Sequence, residues 1–186
     1  MNKYLTVLSD FRVVMAIVLL GALSRLLPHP YNFTPLAAIC LFGGAYLQNS
    51  RLALGITLSS LLLSDALLHT AYLAGWRAYP GFYALMPFVY GGFGLVVVLG
   101  HLLNGKVTAW RVGGAALVGS VTFFMVSNFG VWLLEMPHTW TSLVQCYVQA
   151  IPFFGNTLAG DFLYSFAFFG IYEYAKFNTP ALQRLR

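Results

Sequence analysis

Asp65 and His69 stand four residues apart in LLLSDALLHT, so on a helix a carboxylate and an imidazole would share one face. Asn128, Trp132 and Glu135 follow at i, i+4 and i+7 in SNFGVWLLE, and Asn156, Thr157 and Asp161 come close together in GNTLAGD. Arg25 ends one apolar run and Asn32 opens the next. Each type has a use in holding a small molecule. Asp65 and Asp161 would offer charge-assisted acceptors, Arg25 a fixed cation, and Asn32, Asn128 and Asn156 orienting hydrogen bonds, with Trp132 as an apolar face. Together with His69 they form a candidate binding set, and the mixed charge suits a small polar or zwitterionic ligand.

Other chemistries fit less of the pattern. Two carboxylates at one depth could share a proton and work as acid and base, as in an intramembrane aspartyl hydrolase. The stretch before the second reads Leu158-Ala159-Gly160-Asp161, with leucine where a Gly-x-Gly-Asp signature has its first glycine. His29, His69 and His138 fall on three separate segments without ligand spacing, so no metal site and no other cofactor is expected. Cys40 and Cys146 match neither a zinc nor a redox spacing and read as free thiols. A non-enzymatic protein is the expectation, and the alternatives to a binding role are an intramembrane aspartyl hydrolase using Asp65 and Asp161 or a structural membrane protein without ligand.

The setting is apolar. Of 186 residues, 59% are hydrophobic and only 8% charged, where a soluble domain carries about 25% charged residues. Mean hydropathy is +0.75. Such a chain cannot cover a water-facing surface. The net charge of +5 comes from scattered single lysines and arginines rather than a basic run, so nucleic acid is not an expected partner and the lipid bilayer is.

A bilayer core of about 30 Å needs roughly 20 apolar residues as helix. Six segments approach this, at about 10–27, 33–47, 52–73, 82–103, 112–134 and 152–175. The N-terminal stretch lacks a small-residue cleavage site after its apolar run, so residues 13–27 read as a retained first helix. The second segment is short and needs tilt or shielding by neighbours, with Pro35 in its first turn. TSLVQCYVQA, before Pro152, reads as a separate short helix. The expected fold is all-α: residues 1–186 as a single domain, an integral membrane bundle of six transmembrane helices. Its small-xxx-small pairs, Gly55 with Ser59, Ala115 with Gly119 and Ala116 with Ser120, suit close helix packing.

Lys3, Arg12, Arg51, Lys106, Arg111, Lys176, Arg184 and Arg186 gather on one side of such a bundle, against Arg25 and Arg77 on the other. This bias places both termini in the cytoplasm and the loops 28–32, 74–81 and 135–142 outside a bacterial inner membrane. At 1.5 Å per residue, Asp65 and Asp161 then lie roughly 4–5 Å outward of the midplane, Asn128 about 7 Å, His69 and Arg25 about 10 Å and Asn156 about 12 Å. The inner halves, as in VGGAALVGS and FAFFGIY, are apolar or small. The pattern points to a cavity open to the outside and closed at the midplane. Trp76, Trp132 and Trp140 sit where an interfacial aromatic belt is expected in any case.

At PHPYNFTPLAAICLFGGAYL, LLLSDALL, FFMVSNFGVWL and IPFFGNTLAGDFLY, over roughly residues 13–175, the chain resembles an uncharacterised family of small bacterial integral-membrane proteins. That family in turn resembles the substrate-binding S components of energy-coupling factor transporters. The resemblance implies uptake of a vitamin-like or metal-containing micronutrient, captured from outside under closing loops. It also implies docking on a transmembrane coupling protein with ATPase subunits. The chain departs from the S-component pattern in its first helix. There Ala16 is followed four residues on by Leu20, and Ala22 by Leu26, in place of an Ala-xxx-Ala pair. The chain has no phosphate-binding glycine loop, so ATP hydrolysis would belong to partners.

Overall fold

Apolar runs with no internal strand signal fold here as helices throughout. The structure is a computed structural model and describes residues 3–27, 30–47 and 49–178, with side chains from residue 12 to 177. His29, the C-terminal Arg184 and Arg186 and the Lys3 side chain lie outside that description, and with them the placement of the two termini. The helices are α1 (Lys3–Leu23), α2 (Leu36–Tyr46), α3 (Ser50–Leu73), α4 (Met86–His101), α5 (Ala109–Glu135) and α6 (Trp140–Asn178). A 3-10 turn, Ser24–Leu26, follows α1. Among the described residues there is no strand.

The short second segment is the centre of the bundle. Every residue of α2 from Leu36 to Ala45 is buried, with α1, α3, α4, α5 and α6 around it. Shielding by neighbours is therefore the answer to its length. Pro35 sits one position before the helix, as its N-cap, and its carbonyl accepts from Ile39 N. Close approach is what makes this centre possible. A Cβ on Gly44 would overlap the Val97 carbonyl oxygen, and one on Gly100 the Leu41 carbonyl oxygen, so α2 and α4 cross backbone against backbone. Below the crossing, Phe42, Tyr46, Phe169 and Tyr172 pack edge to face and tilted, and the Tyr46 hydroxyl donates to Glu173 at 2.6 Å.

α3 starts at Asn49, whose side chain accepts from Arg51 N at 2.9 Å and Leu52 N at 3.3 Å, a cap that satisfies two otherwise orphaned donors. α3 and α5 are long and apolar enough to cross a bilayer, and α2 and α4 are apolar but shorter. Of the small-residue pairs, Ala116 and Ser120 are buried inside the bundle, whereas Gly55 and Ser59 are exposed.

The separate helix expected before Pro152 is not present. α6 is one helix of 39 residues with Pro152 inside it. Proline there forfeits the bond its own N–H would make to the residue four back, a cost of about 3 kcal/mol in a helix interior. Contacts to α5 on both sides of the proline hold the helix together. Before it, the Tyr147 hydroxyl donates to Met125 O at 2.8 Å and Cys146 Sγ to Asn128 O at 3.4 Å; after it, the Phe154 ring lies 4.9 Å from that of Phe124.

Candidate functional site

Arg25 leaves α1 on the 3-10 turn and reaches sideways to α3. Its Nη1 donates to Asp65 Oδ1 at 2.6 Å and to Ser64 Oγ at 2.7 Å. The Ser64 hydroxyl passes its own hydrogen to Leu61 O at 2.8 Å. From α4 the Tyr90 hydroxyl donates to the other carboxylate oxygen, Asp65 Oδ2, at 2.6 Å. Three elements thus meet on one carboxylate. The side chains of Arg25 and Asp65 are 16% and 7% exposed. Both described contacts use Nη1, so among the described residues Nε and Nη2 of Arg25 still have hydrogens to offer.

Arg25 lines a cavity of about 400 Å³. Its polar wall is Arg25, Asp65, Asn32, Asn128, Ser127 and Thr157, and its apolar wall is largely aromatic: Tyr83, Phe93, Phe123, Phe124, Phe153 and Phe154. The Asn128 amide nitrogen donates down its own helix to Phe124 O at 2.8 Å, which turns the amide oxygen away from the backbone as an acceptor. Asn32 has φ 59, the left-handed conformation that asparagine tolerates better than most residues. Asn156 holds this loop to α6 by donating to Tyr31 O at 3.1 Å.

The connection between α3 and α4 closes another flank. Gly81 lies buried on α3, where a Cβ would overlap the Asp65 carbonyl oxygen and come 2.6 Å from His69 N. Only glycine lets the loop press so close. The anchor puts Tyr83 and Leu85 on the cavity wall.

The structure brings together Arg25, Asn32, Asp65 and Asn128 of the eight residues expected from sequence. The other four go elsewhere. His69 packs its ring 5.2 Å from Phe82 and 6.0 Å from Tyr72, with Nδ1 buried and unpartnered among the described residues. The Trp132 indole donates to Ser142 Oγ at 3.1 Å and lies against Phe129 and His138 at the α5–α6 turn. Asn156 is an exposed clasp on the loop. Asp161 is buried between helices, 2.5 Å from Ser120 Oγ. The two aspartates therefore have separate partners rather than a shared one. Among the described residues no three of His, Cys, Asp and Glu gather as metal ligands. Cys40 and Cys146 are free.

Sequence reasoning missed Tyr90, Tyr83, Ser64 and the phenylalanine walls. The available signal was the hydroxyl of Tyr90 in an otherwise apolar helix, since a buried tyrosine O–H seeks an acceptor.

The comparison with known families covers this whole arrangement, matching residues 6–182. The chain belongs to DUF6580, a family of unknown function. No curated protein matches it. No solved structure matches it either. Every cavity residue named above falls inside the stretch that defines membership in DUF6580.

Proposed function

We propose that this protein is a multi-pass membrane receptor, with six membrane-spanning helices, that captures a small ring-bearing molecule from the outer side of a bacterial inner membrane. The reading treats it as similar in role to the S component of an uptake transporter. Large apolar side chains left exposed on several helices, among them Leu20, Leu62, Leu95, Val118, Leu163 and Ile171, support a lipid surround. The basic residues favour a cytoplasmic face opposite the cavity mouth. An ATP-driven step would be carried by a separate coupling protein with ATPase subunits.

The single observation that carries the reading is the cavity itself. Its volume of about 400 Å³ lies within the range of small-molecule sites. Aromatic walls beside the Arg25–Asp65 pair suit a flat body with a polar end. The charge is specific in sign. Asp65 already accepts from Arg25 on one oxygen and from Tyr90 on the other, and its charge is offset by the guanidinium, which makes it a weaker attractor for a ligand cation. Among the described residues, Arg25 retains N–H donors on Nε and Nη2. The ligand is accordingly a planar, aromatic or heteroaromatic molecule with a carboxylate or carbonyl acceptor, rather than the zwitterion that mixed charge alone suggests. A thermal melt tests this: solvent extraction of the purified protein's small molecules should lower the melting temperature, and adding the extract back should restore it. Extraction without effect on the melt would count against a bound ligand.

A further inference from the structure

Ser120 Oγ has one hydrogen and two close acceptors. It stands 2.9 Å from Ala116 O, one turn back on α5, and 2.5 Å from Asp161 Oδ2 on α6. Ser120 is fully buried, and Asp161 is 3% exposed. If Asp161 were a carboxylate, it would keep, among the described residues, a single hydroxyl donor and face no cation. Ser120 faces it from α5 and the Cys40 thiol from α2, and where α1 meets α6, at Gly21 beside Phe168, no charge is present. Arg25 is committed to Asp65. A buried charge without a partner is far costlier than the neutral acid. With a proton on Oδ2, the contacts form one directed chain: Asp161 donates to Ser120 Oγ, and Ser120 donates to Ala116 O. Both short distances are then hydrogen bonds.

We propose that Asp161 is a proton-binding site, separate from the cavity, that latches α5 to α6 just beneath it. The position gives the latch its consequence. Phe123 and Phe124 on the cavity wall lie within one turn of Ser120, and Thr157 lies one turn before Asp161. The bound proton makes the α5–α6 joint neutral and hydrogen-bonded. Its release leaves an unpaired carboxylate in an apolar seam, which drives the two helices apart and opens the cavity floor. Among the described residues, Asp65 has a guanidinium partner and Asp161 has none, so the two sit in opposite electrostatic surroundings. This inference stands independently of what the cavity binds.

Infrared difference spectroscopy of the full chain in lipid reads the proton directly. Only five acidic residues are present, so the carboxyl region is tractable. At neutral pH the wild-type protein should show a protonated-carboxyl C=O stretch that is lost in Asp161→Asn. Ser120→Ala, which keeps the acid but removes its hydrogen-bond partner, should shift that band to higher frequency without abolishing it. The Ser120→Ala arm needs no change at the aspartate and so decides the matter even if Asp161→Asn fails to fold. Absence of any protonated-carboxyl band in the wild type, or a band that does not move in Ser120→Ala, would overturn the proposal.

Discussion

Tyr90 donates its hydroxyl hydrogen to Asp65 Oδ2 at 2.6 Å, the oxygen that Arg25 leaves open. The carboxylate is thereby fixed from two helices and the turn after α1 is tied to both. The arrangement orders the cavity edge before any ligand arrives, and it gives the Arg25 guanidinium a fixed orientation.

Breaking that arrangement from either side should have unequal costs. Asp65→Asn leaves Arg25 buried without its counter-ion and should destabilise the protein by about 3–5 kcal/mol. Tyr90→Phe removes one hydrogen bond to a charged group and should cost about 1.5–3 kcal/mol. Unfolding titrations in detergent micelles would measure both; equal and negligible losses would mean the network does not form.

At the α2–α4 crossing, added bulk should be punished where backbones touch. Gly44→Ala and Gly100→Ala should each cost about 1–3 kcal/mol by forcing the helices apart. Gly55→Ala, where an added Cβ meets nothing, should leave stability unchanged or slightly raised. The same titrations rank the three variants, and a neutral Gly44→Ala would contradict the close crossing.

Pro152 lies within a continuous α6, so its removal should mend the helix rather than disturb it. Pro152→Ala should keep or increase stability, by up to about 3 kcal/mol, by restoring one backbone bond. A loss of stability would show that α6 needs a break there.

The orientation assigned to the bundle has a labelling signature. With both native cysteines buried, single cysteines placed at Trp76 or His138 should react with a membrane-impermeant maleimide in intact cells. A cysteine at Lys106 should react only after permeabilisation. The reverse pattern would place the cavity mouth in the cytoplasm.

The Arg25–Asp65 pair was within reach of the sequence because the depths expected for those two charges put both in the outer halves of their helices. Asp161 shows where depth stops helping. Its expected depth matches that of Asp65, but depth carries no information on helix rotation, and α6 turns Asp161 toward Ser120. Trp132 likewise points to its own turn. Tyr90 and the phenylalanines were hidden for the opposite reason: in an apolar sequence, an aromatic that lines a cavity and one that faces lipid look alike. The burial of α2 was suggested by its shortness. The continuity of α6 was not, because the contacts that carry it past Pro152 come from α5, distant in sequence.

The central claim is a ligand held at Arg25 between aromatic walls, and native mass spectrometry of the protein released from mild detergent tests it most directly. The wild type should carry a non-lipid small molecule in a one-to-one complex, and Ser127→Trp, which fills the cavity from α5, should fold without it. A wild type that carries only lipid, or a Ser127→Trp protein that keeps the same extra mass, would contradict the account.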